Sequence, residues 1–441
     1  MEIKELSGIL KQSGVVGAGG AGFPTYAKLD ERAETIILNC AECEPLLRLH
    51  RQLLERYARE IVETFYMIGR TVGAKDMVIG IKKAYRKTIE ALEDCIADYE
   101  GVRIGLLDEV YPAGDEVVLI YEVTGKVVAP GRLPIECQVA VFNVETVYNV
   151  YRAVNKQTPV VDKLVSVVAE VEAPVTVRVP IGCTVEETAA MAGKATVEDP
   201  VYFIGGPMMG NIGTAQQPVT KTTNAILVLP KDHLIVQKKN RKASIDLKRA
   251  AASCCQCTMC TDLCPRNRLG HPIEPHKFMR AATCKDMQEP DVFLNTMFCS
   301  SCGLCEMYSC MQSLSPRSLI ADYKNGLRAH GIRPPQGVEP APVGAEREYR
   351  KVPMERLMAR LNLTRYDREA PLQDERAEVH KVRILLSQHI GAPARPVVAA
   401  GDIVSAGQMV AEPGGGLSVG IHASISGRVT EVSDRSIIIE K

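Results

Sequence analysis

The chain has no tryptophan and only seven phenylalanines among its 441 residues, so stacking against any planar ring falls to very few side chains. It also lacks an excess of either charge, because 53 lysines and arginines face 53 aspartates and glutamates. That balance leaves no bulk field to draw in nucleic acid or an anionic membrane, and neither is expected as a partner. No apolar run approaches the ~20 residues needed to span a bilayer, so no transmembrane segment is expected. The opening MEIKELSGILKQ alternates charged and apolar residues and has no apolar stretch of the signal-peptide kind. A cytoplasmic protein is expected. Its length exceeds what one hydrophobic core normally supports, which predicts several domains.

What the chain does carry is cysteine, fifteen in all. Two blocks stand out: Cys254-x2-Cys257-x2-Cys260-x3-Cys264-Pro265 and Cys299-x2-Cys302-x2-Cys305-x4-Cys310. Thiolates at these intervals wrap three corners of a cubane and send the fourth ligand elsewhere, so the spacing predicts two 4Fe-4S clusters. In the two-cluster ferredoxin arrangement the last cysteine of each block crosses over. Cys254, Cys257, Cys260 and Cys310 would then hold one cluster, and Cys299, Cys302, Cys305 and Cys264 the other. The alternative is structural zinc, which takes four thiolates per ion and leaves the closely spaced third cysteine of each block unexplained. The second block departs from the first in having four residues before its last cysteine and no proline after it. Cys255 and Cys284 read as spare structural thiols, and Cys95, Cys137 and Cys183 as buried ones. The eight histidines show no ligand spacing; His271 and His276 lie near the first block.

From Thr35 to about Asn155 strand-like runs (Thr35–Leu38, Met77–Ile81, Val139–Phe142) alternate with helix-period segments (Leu49–Arg70, Lys83–Tyr99), the pattern of a parallel sheet covered by helices. Strands dominate from Leu164 to Leu229, with one short helix opened by Thr184 and carrying Glu186 and Glu187 in its first turn. A basic stretch from Lys238 to Arg249 leads into the cysteine region, where Pro275–Cys284 reads as helix. The proline- and glycine-rich residues 333–344 mark a linker, and Met354–Leu363 an amphipathic helix. Lys381 to Lys441 consists of short strands punctuated by glycine.

Before the first strand lies the loop Gly14-Val15-Val16-Gly17-Ala18-Gly19-Gly20-Ala21-Gly22-Phe23-Pro24-Thr25. Glycines let backbone amides turn on a phosphate without side chains in the way. Gly17, Gly19 and Gly22 fit GxGxxG, yet the loop follows the helix-period Ile3–Gln12 and precedes Phe23-Pro24. A Rossmann fingerprint would follow a strand and open a helix. The alternative is a flexible turn.

Taken with Asn39-Cys40-Ala41-Glu42-Cys43-Glu44-Pro45, Gly114-Asp115-Glu116 and Asn143-Val144-Glu145-Thr146, the loop resembles the NADH-binding flavoprotein subunit of respiratory complex I. It is more similar still to the RnfC-like and PduS-like iron–sulfur flavoproteins. Ile204-Gly205-Gly206-Pro207-Met208-Met209-Gly210 resembles the end of that family's SLBB domain, and Lys381–Lys441 its barrel-sandwich hybrid. The C-terminal place of the hybrid suits the PduS-like branch. No lysine stands at a hairpin tip there, so covalent carriage is not expected.

The resemblance implies a multidomain α/β plus α+β chain: a Rossmann-like FMN/NADH domain over 1–158, an SLBB β-grasp domain over 159–237, a helical ferredoxin-like dicluster domain over 238–330, a linker and helix over 331–377, and the hybrid over 378–441. It implies that Gly17, Gly19, Gly20 and Lys28 cradle FMN and its phosphate. Asn39, Glu42, Gly114, Asn143 and Thr146 would contact the isoalloxazine or ribityl chain, with Asp115 and Glu116 beside them. Phe23 would stack on NADH and Glu44 would bind its ribose or amide. Complex I has arginine and aspartate where this chain has Ala18 and Ala41. An alternative leaves Glu42 and Glu44 as loop-surface carboxylates and Asp115 and Glu116 as first-turn helix charges.

The implied activity is electron transfer from NADH through FMN and two clusters to a partner protein or a corrinoid, within a larger complex or a bacterial microcompartment. The alternative is a docking and electron-transfer subunit that does not oxidise NADH itself.

Overall fold

The computed structural model describes residues 1–284 and 288–441. Its first unit is a four-stranded, all-parallel sheet in the spatial order Val102–Leu107, Asp76–Lys82, Thr35–Cys40, Val139–Asn143. The first three strands follow one another outward, whereas the fourth returns to the other side of Thr35–Cys40. The reversal leaves a crevice between the C-terminal ends of Thr35–Cys40 and Val139–Asn143, where open α/β sheets take their ligands. Helices Leu49–Val72 and Val144–Asn155 cover one face, and their Leu53, Ile61, Phe65, Val147 and Val150 join Ile36, Leu38 and Ile79 in one buried core. Each such side chain contributes ~1.5–3 kcal/mol on burial.

The three expected strands form, one or two residues longer than the apolar runs suggest. Lys83–Tyr99 is helical only over Arg86–Ile96. Val102–Leu107 was not expected from the sequence pattern. Its alternate residues are half-exposed at the sheet edge, so its apolar run is too broken to mark it.

The second unit is a six-stranded sheet in the order Leu372–Arg376, Val175–Pro180, Asp162–Ala169, Ala225–Leu229, Val201–Ile204, Asn211–Ile212. Its short helix Val185–Ala190 starts as the sequence predicts: Thr184 Oγ1 accepts the Glu187 amide while the Glu187 carboxylate accepts the Thr184 amide. Part of the stretch expected to be linker belongs to the folded body. Leu372–Arg376 pairs in parallel with Val175–Pro180, and Val352–Pro353 pairs with Val110–Tyr111. Charge fixes that edge, since Arg178 meets both Asp162 and Asp374, and Arg152 binds Asp162 through two bonds of 2.7 and 2.8 Å.

The cysteine region is helical, with Ala243–Ser253, Pro275–Cys284 and Pro316–Ala329 packed around Phe278, Phe293 and Tyr323. The C-terminal unit stacks a four-stranded sheet and a three-stranded sheet. Its Val382, Ile384, Val429 and Ile437 share one buried cluster with Val165, Val177 and Val228 of the second unit. The two units therefore pack as one body.

Burial pushes the Asp162 carboxyl up, but Arg152 and Arg178 outweigh it and hold the group below its ordinary value of 3.8. A depressed carboxyl pKa adds stability above the unfolded value and loses it as pH falls through the folded one. Denaturation midpoints should therefore drop between pH 5 and pH 2, and Asp162→Asn should flatten that limb while lowering stability at pH 7.

Candidate functional site

The crevice at the sheet reversal is a cavity of about 290 Å³ lined by the glycine loop, Thr25, Lys28, Asn39, Glu116, Asn143 and Thr146. Helix Val144–Asn155 points its N-terminus into it. Asn143 caps that helix by accepting the amides of Glu145 and Thr146 at 2.9 and 3.3 Å, and Thr146 Oγ1 accepts the Ala18 amide at 3.0 Å. The glycine loop is thus tied to a helix terminus whose dipole favours an anion. A Cβ on Gly19 would stand 2.4 Å from Asn143 Nδ2, so only glycine permits this approach. Gly19 and Gly20 remain exposed to the cleft, and Phe23 is half-buried at its wall.

Lys28 enters the same cavity, its Nζ donating to the Val141 carbonyl at 2.8 Å and lying 3.4 Å from Glu116. Asn39 Nδ2 donates to the Gly114 carbonyl at 3.0 Å, which explains how Gly114 supports the cleft without lining it. Thr25 Oγ1 is buried, lines the cleft and has no hydrogen-bond partner among the described residues. A cation, a glycine loop, a helix N-terminus and an unsatisfied hydroxyl in one crevice suit the phosphate and polyol chain of a flavin nucleotide.

The cleft gathers Gly17, Gly19, Gly20, Phe23, Lys28, Asn39, Glu116, Asn143 and Thr146 but not every residue expected in it. Asp115 faces elsewhere: it caps helix Glu116–Thr124 by accepting the amides of Val117 and Val118, and it pairs with Arg266 at 3.0 Å. Glu42 and Glu44 line a neighbouring pocket with Arg51, Lys82 and Tyr85. Glu42 accepts the His50 amide at 3.1 Å, close to the start of helix Leu49–Val72. Glu44 accepts the amides of Met208 and Met209 at 2.9 and 3.0 Å. Burial pushes its carboxyl up to about 7, against those two amides. A Cβ on Gly206 would fall 2.2 Å from its Oε2, so the Gly205-Gly206 turn is built around this carboxylate.

The thiols fall into two neighbourhoods. Cys254, Cys257, Cys260 and Cys310 line one pocket, while Cys264 lies within electrostatic reach of Cys299 and Cys302. The two blocks repeat one backbone path. Positive φ recurs two and four residues after the first cysteine of each, at Gln256 (54°) and Thr258 (64°) and at Ser301 (59°) and Gly303 (82°). The extra residue of the second block is taken up by a π-helical turn over Cys305–Ser309, which brings Cys310 back to the first block's pocket. Sulfur also receives donors, since Gln256 Nε2, the Ser301 amide and the Leu314 amide approach Cys254, Cys299 and Cys310 at 3.2 to 3.3 Å. Burial pushes the Cys260 thiol up to about 12 and Cys264 to about 11. Such thiols ionise once metal binds them, and this donor set fits two cubanes.

The sequence reading missed the residues that join cleft to clusters. Tyr111 Oη donates to the Cys302 carbonyl at 2.5 Å, and Arg266, two residues past Cys264, reaches Asp115. Lys324 Nζ donates to the Cys299 carbonyl at 2.8 Å, and the buried Lys238 to the Glu306 carbonyl at 2.8 Å. The position of Arg266 beside Cys264-Pro265 and that of Lys238 at the head of the basic stretch offered a sequence signal, whereas Tyr111 and Lys324 offered none.

Residues 10–152 match the Nuo51 FMN-binding domain, 253–315 a 4Fe-4S dicluster domain and 366–441 the RnfC barrel sandwich hybrid domain. The cobalamin reductase PduS of Salmonella typhimurium is 43% identical over 98% of this chain and 95% of its own length. That of Citrobacter freundii is 40% identical over the same shares. A component of the ion-translocating oxidoreductase complex of Edwardsiella ictaluri is 32% identical, covering 59% of this chain and 32% of its own. Among solved structures, an NAD+-reducing NiFe-hydrogenase in its H2-reduced state superposes with a TM-score of 0.50 at 19% identity, over 76% of this chain and 64% of that one, a likeness of fold. An FMN-binding unit, a dicluster unit and a terminal hybrid barrel in one chain, with 43% identity to PduS over nearly its whole length, make this protein an oxidoreductase of the PduS cobalamin reductase family.

Proposed function

We propose that the chain takes hydride from NADH and delivers single electrons to a corrinoid, the acceptor named for its PduS relatives. The observation that carries this reading is the contact between the segment beside the cleft and both cysteine blocks. Gly114, which supports Asn39, is followed by Asp115, which holds Arg266 beside Cys264, while Tyr111 holds the Cys302 carbonyl. When bound, FMN accepts a hydride and the two clusters carry single electrons, which together convert two-electron to one-electron chemistry.

In this reading Lys28, the amides of Gly17, Gly19 and Gly20, and the terminus capped by Asn143 bind the flavin phosphate. Asn39, Thr25 and Thr146 orient its polar chain. Phe23, half-buried at the cleft wall, stacks on the nicotinamide nucleotide. The cluster of Cys264, Cys299, Cys302 and Cys305 stands nearer the flavin. That of Cys254, Cys257, Cys260 and Cys310, with Cys257 exposed, stands nearer the surface and the acceptor. We assign the domains as 1–158, 159–237, 238–330, 331–377 and 378–441, with Leu372–Arg376 an added strand of the second. The hairpin Asp162–Pro180, the helix Val185–Ala190 and the parallel pairing of Asp162–Ala169 with Ala225–Leu229 support the β-grasp SLBB reading of that second unit. Among the described residues no helix is long and apolar enough to cross a membrane. We place the protein in the cytoplasm, in a larger complex or a microcompartment.

A second reading follows from Glu44. Its carboxylate is occupied by the Met208 and Met209 amides, which favours a relay fed by another electron carrier over direct NADH oxidation. Anaerobic addition of NADH separates the two: loss of flavin absorbance supports NADH oxidation, and an unchanged spectrum with dithionite-reducible clusters supports the relay. Cys302→Ser should lower iron from about eight to about four per chain with FMN retained. Iron analysis beside flavin released on denaturation checks this, and full iron content would count against the ligand assignment.

A further inference from the structure

The C-terminal barrel lacks a carrier lysine, yet it reaches the back of the glycine loop. Lys221, in the second unit, is 2% exposed. Its Nζ donates to the Gly14 carbonyl at 2.7 Å and to the Gly420 carbonyl at 3.0 Å, while its amide donates to Gln388 Oε1 at 3.0 Å. Three units therefore meet at one ammonium. Gly14 has a φ of +73°, and a Cβ there would lie 2.4 Å from Lys221 Nζ and 2.5 Å from the Gly420 oxygen.

The other end of the loop is held from the same side. The Ile390 amide donates to the Gly22 carbonyl at 3.1 Å. A Cβ on Gly22 would stand 3.0 Å from the Gln388 carbonyl oxygen and 3.1 Å from Thr222 Cγ2. Between these two anchors, Gly19, Gly20 and Ala21 are exposed to the cleft. Among the described residues Lys221 has no carboxylate partner. A buried unpaired ammonium is costly, and packing alone would be served by an apolar side chain.

We propose that Lys221 is a positioning residue for the flavin loop, fastening the C-terminal barrel to Gly14 so that residues 17–22 keep the shape that receives the nucleotide. The proposal rests on the reading that this cleft holds FMN. Burial pushes the Lys221 ammonium down to about 7. The titratable groups facing it come from the barrel: burial, then Lys221, push His422 down to about 3 and His389 below its ordinary value. Gly14 and Gly420 present only carbonyls. Between pH 6 and pH 8 the change of charge here is that of Lys221, and a neutral amine donates more weakly than an ammonium. The clamp loosens as pH rises.

FMN is titrated into the deflavinated, cluster-loaded full chain by quenching of flavin fluorescence at pH 6 and pH 8, with hydrogen exchange read on peptides covering 14–22. Lys221→Met should raise the FMN Kd at pH 6 at least tenfold, about 1.4 kcal/mol, with a smaller gap at pH 8. Exchange of the loop should quicken while iron per chain stays constant. Gln388→Ala, which leaves the ammonium in place, should weaken FMN in the same direction. Equal Kd values with unchanged loop exchange would overturn the clamp, as would a gap that does not narrow with pH or a loss of iron in step with FMN. A wild-type protein that takes up no FMN would instead overturn the cleft reading on which the clamp stands.

Discussion

The close approach of the glycine loop to the start of helix Val144–Asn155 is the constraint on which the redox architecture rests. A side chain at Gly19 would displace Asn143, and Asn143 is the cap that turns that helix terminus toward the cleft. Losing the cap would cost about 0.5–2 kcal/mol. Losing the approach would also remove the Ala18 amide from Thr146 and open the crevice. The loop cannot hold this course alone, because glycine gives it freedom rather than shape. Its shape comes from what grips it: Thr146 in front, and Lys221 with Ile390 behind.

A similar economy of contact links the cleft to the cysteine region. Asp115 serves two masters, capping its own helix and holding Arg266, so the element that flanks the cleft also fixes the chain just past Cys264. Tyr111 does the same for Cys302. Cations then surround the second block, with Lys238 and Lys324 donating to its backbone carbonyls and Arg360 reaching the Cys310 carbonyl. Positive charge near a cluster stabilises its more negative reduced form, a lever on potential that requires no ligand change.

Glu44 has its partners within the fold. The resemblance assigned it to a nucleotide, whereas the Gly205-Gly206-Pro207-Met208-Met209 turn closes on both its oxygens. The absent side chain of Gly206 makes room for it. The same turn approaches Gly303, between Cys302 and Cys305, with the Met208 carbonyl 3.2 Å from where a Cβ would stand. The second unit thereby touches both Glu44 and the loop between Cys302 and Cys305.

The sequence alone determined what local spacing encodes. Thiolate intervals named the clusters, apolar periodicity named three of the four parallel strands, Thr184 as an N-cap named a helix start, and dense glycine marked a loop able to turn its amides on a phosphate. Each of these depends on neighbours within a few residues. Tertiary structure alone decided what depends on residues brought from far apart: the edge strand Val102–Leu107, the added strand Leu372–Arg376, the role of Asp115 as a brace, and the closing of Glu44 by a distant turn. The physical reason is that a carboxylate or a lysine carries no local signature of its partner. Lys221 lies 207 positions from Gly14 and 199 from Gly420, and only the packed fold brings their carbonyls within reach of one ammonium.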